Sequence, residues 1–222
     1  MTKTITTFLA GTALSLAMAG MAAAQDVARE DTVIFDLDRT IQDPENFNWM
    51  TDGTGIRRMH GAHQTMWEPL FILNYGTGEL DPWLATGFEG NEDSTEFTIT
   101  LREGVTWSDG EACNADDVVF TVEMAANDEL TAREVATLRS QVASVEKVDD
   151  LTVRFTLNAP NPRFVVENFG VRIFGSFLIM PEHIWSAAEN PATFAFNPPI
   201  GTGPYTFTSA ASNRAIWDRN ED

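Results

Sequence analysis

Thirty-three Asp and Glu residues stand against fourteen Lys and Arg, so paired carboxylates are the first chemistry this sequence could support. Two acids flanking a cleft hydrolyse glycosidic bonds when they stand ~5 or ~6.5–9.5 Å apart. A secreted carbohydrate-active enzyme built on such a pair is therefore the catalytic alternative. The local context of the acids argues against it. Asp109, Asp149 and Asp150 fall in turn-like stretches, and Asp116 and Asp117 open a helical pattern, where the macrodipole favours negative charge. The chain has no G-x-S-x-G and no H-E-x-x-H, and its single cysteine, Cys113, has no cationic neighbour in sequence to activate it. The reading is of a protein that is not an enzyme. His60 and His63 are three apart, a metal-site spacing, but no third ligand of matching type lies nearby. They read as structural histidines, with no metal and no cofactor expected. Gly201 and Gly203 form a G-x-G that no helix follows, which excludes a nucleotide loop.

Binding chemistry is better represented. Residues 43–49, D-P-E-N-F-N-W, make a polar, Pro-broken loop of the kind that normally runs over a surface. In it Trp49 offers an aromatic face for stacking, and Asn48 an amide for hydroxyls or main chain, so both are candidate ligand-binding residues. Arg172 is the one charge in the apolar run 171–180. It either snorkels at an edge or projects into a cleft, where its forked donors suit a carboxylate or a sugar hydroxyl.

These residues need positioning, and residues 96–124 carry the densest structural information. Phe97, Ile99 and Leu101 alternate with Thr98, Thr100 and Arg102, the period of a half-buried strand. Ser108-Asp109-Gly110 is turn chemistry, and Asn114 is placed to cap a helix whose apolar face holds Val118, Val119, Phe120 and Val122. Residues 142–148 and 151–157 read as a hairpin turning at Asp149-Asp150. Helices are expected over 55–67, 131–139 and 163–168 and from Pro181, and strands at 33–37, 71–75, near Phe88 and at 215–217. The strands between 71 and 101 are expected to share one small mixed sheet. Asn197-Pro198-Pro199 marks a linker.

Residues 1–24 read as a secretory signal peptide, with Lys3 followed by a short apolar run and an Ala22-Ala23-Ala24 cleavage site. No cysteine adjoins that site to take a lipid anchor. Removing Lys3 takes the formal net charge from −19 to −20, a balance that disfavours nucleic acid and anionic lipid. The acidity is a solubilising surface or, on a sharper reading, a field that steers a cationic ligand. One cysteine allows no intramolecular disulfide, so stability has to come from the core. A freely diffusing periplasmic protein of a Gram-negative cell is expected.

Ala85, followed after seven residues by D-S-T-E-F-T-I-T-L-R-E-G-V-T-W (residues 93–107), closely resembles the signature of the family 5 solute-binding proteins of ABC importers. W-S-D-G-E and A-D-D-V-V-F continue it, and E-P-L-F at 68, P-W-L-A at 82 and I-G-T-G-P-Y at 200 are similar to other family segments. Thr106 departs from the residues the family prefers there. The resemblance implies an α/β, type II periplasmic binding protein-like fold. In it residues 25–50 begin a main lobe, 51–197 form an inserted α+β subdomain, and 198–222 return to the main lobe, with the second lobe absent. It implies capture of oligopeptides or oligosaccharides for import, with D-P-E-N-F-N and E-P-L-F-x-L-N-Y-x-T-G-E-L closer to the oligosaccharide branch. The implied partners are a small-molecule ligand and an ABC permease in the inner membrane, with a monomeric receptor. His60 joins the ligand-contact candidates on this resemblance alone. The end at 218–222 reads as the amino-terminal part of a longer protein.

Overall fold

Alternation along two sequence stretches builds the centre of the molecule. The computed structural model describes residues 29–34, 40–58, 63–170 and 176–221. By contacts the chain divides into units 1–36 and 37–222. In the first, a 3-10 turn spans Arg29–Asp31. Val33 and Ile34 are exposed and outside any strand, and the rest of the strand expected at 33–37 lies outside the described residues.

In the second unit, two short helices come first, α1 (Gly55–Arg58) and α2 (His63–Met66), where one helix over 55–67 was expected. Residues 59–62 between them are outside the described set. Strands β1 (Phe71–Leu73) and β2 (Leu80–Pro82) pair as an antiparallel ribbon, and Phe71 also makes an isolated parallel bridge with Gly170. β3 (Ala85–Gly90) and β4 (Glu96–Leu101) begin a separate sheet. After α3 (Ala115–Met124) and α4 (Arg133–Gln141), β5 (Val142–Asp149) and β6 (Thr152–Leu157) complete it in the order β3-β4-β6-β5, antiparallel throughout. The expected single mixed sheet is thus two antiparallel ones. Short connections explain the difference, because they join antiparallel neighbours, whereas parallel strands need a crossover. Helices α5 (Phe164–Phe169) and α6 (Glu182–Trp185) follow, and β7 (Tyr205–Ala211) with β8 (Arg214–Arg219) closes the chain as a hairpin.

Each alternation delivers one face to the core. Phe97 lies opposite Phe155 and Ile99 opposite Val153, all buried. Phe164 and Phe169 of α5 cover them, with ring centroids 5.4 Å apart for Phe97–Phe164 and 5.5 Å for Phe155–Phe169. The opposite face carries Thr98, Thr100, Arg154 and Thr156 toward solvent. Helix α3 begins as its sequence requires: Asn114 accepts from Asp116 N at 2.7 Å, and Asp117 reaches back to Asn114 N at 3.0 Å. At its other end Arg139 of α4 donates to the Ala125 carbonyl at 3.2 Å, beyond the last turn, the favourable place for a cation. Val135 and Leu138 of α4 are buried, as their spacing requires.

Candidate functional site

The part of the loop that carries Asn48 and Trp49 is interior. Phe47 and Met50 are fully buried, and Asn48 and Trp49 are only 1% and 4% exposed. The Asn48 amide donates to the Pro191 carbonyl at 2.7 Å and the Phe194 carbonyl at 2.8 Å, while its oxygen accepts from Met50 N at 3.0 Å. Thr54 Oγ1 donates to the Asn48 carbonyl at 2.6 Å, and Phe47 N to Ala195 O at 2.7 Å. Trp49 meets Phe177 edge to face at 6.0 Å. This corrects the surface-loop expectation for Asn48 and Trp49, while Asp43 and Glu45 at the start of the loop do face solvent. The Asn48 amide is spent on main chain more than 140 residues away, and a buried amide needs those partners. Neither side chain is open to a ligand in this structure. Beyond Trp49 the chain is exposed again at Asp52 and Gly53. His60 and Arg172, the other two candidates, lie outside the described residues.

The expected linker at 197–199 leads into a locked crossing. Trp67 Nε1 donates to Ile200 O at 2.7 Å, Gly203 N to Met66 O at 2.8 Å, and Ser108 N to Gly201 O at 2.8 Å. Phe196 stacks on Trp67 at 5.8 Å and 14°, with Trp185 beside it at 5.2 Å. Both glycines are required by proximity: a Cβ on Gly201 would lie 1.9 Å from Met66 O, and one on Gly203 2.7 Å from Met66 C. The segment 196–203, the signature turn and the chain from the end of α2 to Trp67 are one packed body.

Two polar clusters border that body. In the first, Asp117 is 4% exposed and accepts from Trp107 Nε1 at 3.2 Å, Asn114 N at 3.0 Å and Glu182 N at 2.8 Å. One turn on, Thr121 Oγ1 accepts from Met180 N at 2.9 Å. The A-D-D-V-V-F-T stretch therefore anchors the segment entering α6, and His183 Nε2 adds a 2.8 Å contact with Asp109 Oδ2 of the signature turn. In the second cluster, Trp83 Nε1 donates to Glu68 Oε1 at 2.7 Å, and Arg102 Nε donates to the Trp83 carbonyl at 2.7 Å. Burial raises the Glu68 carboxyl above its ordinary range, opposed by the Trp83 and Thr202 donors and the Arg102 charge. Burial likewise pushes the Cys113 thiol well up, reinforced by Asp117 and Glu68, so it is not a nucleophile. Trp83 and Glu68 are residues that sequence reasoning did not single out, and from sequence Asp117 reads only as a first-turn acid of its helix. Their motifs were visible, but their shared environment is formed by residues distant in sequence.

Among the described residues no group of three or more His, Cys, Asp and Glu is placed to hold a metal. Nor is any helix among them long and apolar enough to cross a membrane. Several surface acids are already paired: Asp116 and Asp150 with Lys147 at 2.8 Å, Glu146 with Arg154 at 2.8 Å, and Glu167 with Arg163 at 3.1 Å.

The β-sheet, α3 and the closing hairpin all fall within residues 79–222, which match the family model described as bacterial extracellular solute-binding proteins, family 5 Middle. Di/tripeptide-binding protein 4 of Pseudomonas aeruginosa is 30% identical over 92% of this chain and 39% of its own length. The dipeptide-binding protein of Escherichia coli is 30% identical over 73% and 33%. Among solved structures, the mannohexaose-bound periplasmic oligopeptide-binding protein of Thermotoga maritima superposes with a TM-score of 0.66, at 30% identity, over 82% of this chain and 32% of that one. The chain spans between a fifth and two-fifths of the curated relatives it matches.

Proposed function

We propose that this chain, which belongs to family 5 of the bacterial extracellular solute-binding proteins, forms part of a receptor that captures oligopeptides or oligosaccharides for an ABC importer. The observation that carries this reading is the family match over residues 79–222, the span that holds the four-stranded sheet, α3 and the locked crossing at 196–203. Relatives named for di- and tripeptides, and a mannohexaose-bound neighbour, support both ligand classes. The role is binding without chemistry. Asp117 caps its helix, Asp116 is paired with Lys147, and the one thiol is held protonated by its surroundings.

The mechanism proposed is closure of two lobes on a solute, followed by docking of the closed form on an inner-membrane permease. A ligand stabilises closure only through contacts it makes better in the closed state than in the open one. Residues 25–50 and 198–222 would belong to the main lobe, and 51–197 to the inserted subdomain. Export through a signal peptide at 1–24, a periplasmic location and a monomeric receptor complete the reading. Asn48 and Trp49 then serve the site by holding the exposed tip at Asp52 and Gly53, with His60 and Arg172 retained as ligand contacts.

The test is titration calorimetry of the protein as it occurs in its native host, against short peptides, cellobiose and mannohexaose. Tight binding of one class, with the ligand recovered intact, is the expected result. Cleavage of the oligosaccharide overturns the reading. The 222-residue chain alone should bind none of them tightly, because the chain spans about a third of its two-lobed relatives.

A further inference from the structure

Trp83 is 43% exposed, yet it is held as firmly as a core residue. Its N–H is fixed on Glu68 Oε1 at 2.7 Å, its own N donates to Leu70 O at 3.2 Å, and its carbonyl takes Arg102 Nε at 2.7 Å. Fixing it uses a carboxylate that is itself partly withdrawn from water, a cost visible in the raised Glu68 proton affinity. A surface indole kept only for solubility or packing has no need of such a brace. Local features that cost stability without a structural return are expected where a chain binds something.

We propose that the exposed face of Trp83 is a stacking platform for a pyranose ring, with Glu68 and Arg102 at its edge accepting from and donating to the sugar hydroxyls. The inference rests on the receptor reading above and narrows its ligand to an oligosaccharide. Three features favour a sugar over a protein surface. A rigid aromatic face loses little conformational entropy on stacking. A carboxylate oxygen and a guanidinium beside it match the acceptor and donor needs of vicinal hydroxyls. A protein interface, by contrast, needs a contiguous apolar patch, whereas the groups hydrogen-bonded to Trp83 here are the charged Glu68 and Arg102. Glu68 directly follows Trp67, whose indole N–H holds Ile200 O at 2.7 Å, so the carboxylate end of the cluster adjoins the crossing.

The experiment uses the protein purified as it occurs in its native host and compares Trp83→Phe with Trp83→Leu, substitutions of similar bulk. Calorimetric titrations with mannohexaose, cellobiose and a tripeptide are run on each variant, with thermal midpoints recorded. Trp83→Phe, which keeps an aromatic face but gives up the N–H brace on Glu68, should retain more oligosaccharide affinity than Trp83→Leu, which should lose roughly five- to tenfold against the unsubstituted protein, the scale of an aromatic contact. Peptide affinity and melting should be equal in the two. Equal oligosaccharide affinities for Phe and Leu overturn the platform and leave the receptor reading intact. Binding of the tripeptide alone by the unsubstituted protein also overturns it, and assigns the receptor to peptides.

Discussion

Asp117 serves three neighbours with one carboxylate: the indole of the signature strand, the amide that starts its own helix, and the amide that starts α6. Replacing it with Ala strands one buried and two part-buried donors, groups that are expensive to leave without an acceptor. Asp117→Ala should therefore cost about 2–4 kcal/mol in urea unfolding. A loss near zero would show that water replaces the carboxylate freely. Glu68 gives a prediction of the opposite sign. Its folded-state proton affinity is raised by burial, so the folded form binds more protons than the unfolded form, and stability falls as pH rises through that window. The penalty is fully present at neutral pH and is relieved as pH falls toward the ordinary carboxylate range. Glu68→Gln keeps an acceptor for Trp83 and removes the buried charge. Its melting temperature relative to the unsubstituted chain should be more favourable at neutral pH than at acid pH. A pH-independent difference would assign the residue's effect to packing alone.

At the scale of elements, the crossing at 196–203 and the loop at 43–54 behave as braces. A methyl group on Gly201 meets the Met66 carbonyl at 1.9 Å, a backbone atom that cannot rotate away. Gly87 of β3, by comparison, has nothing within 4 Å of the same position. Gly201→Ala should cost at least about 3 kcal/mol or prevent folding, whereas Gly87→Ala should stay within about 0.5 kcal/mol. Similar melting temperatures for the two would mean the crossing has room that its geometry denies. Asn48→Ala removes the link from loop to segment 190–195 and leaves two carbonyls without their donor. It should cost about 1–3 kcal/mol and raise amide exchange in residues 190–196, while exchange in β4 and β6 is unchanged. Edge strand β5 is protected by its own irregularities, with register shifts at 142/144 and 147/149 and Lys147 pinned to Asp116 and Asp150. Such features discourage a second strand from pairing there.

For the whole chain, the dominant fact is a formal net charge of −19. Cations that might offset the excess are already engaged, as in Lys147, Arg154, Arg163 and Arg139. The remaining acids repel one another through solvent. Raising salt from ~0.01 M to ~0.15 M shortens the Debye length from about 30 Å to about 8 Å, so it should raise the melting temperature of this chain. A fall or no change over that range would show that the ion pairs, which salt weakens, outweigh the repulsion.

The sequence by itself determined the elements whose cause is local. Alternation at 97–101 and 153–157 determined two strands and their buried faces, Asn114 and Asp117 determined where α3 begins, and the signature motifs determined the family. Periodicity, capping and turn chemistry act between residues a few positions apart, so they can be read in order. What only the tertiary structure decided is where distant segments meet. Asn48 looked solvent-facing because its partners, the carbonyls of Pro191 and Phe194, lie more than 140 residues on. Trp83, Glu68 and Arg102 became one cluster only when two ribbons were laid side by side, and the linker became a lock only against Met66. Burial and hydrogen-bond satisfaction belong to the folded arrangement, and a polar residue's role follows from which partner reaches it.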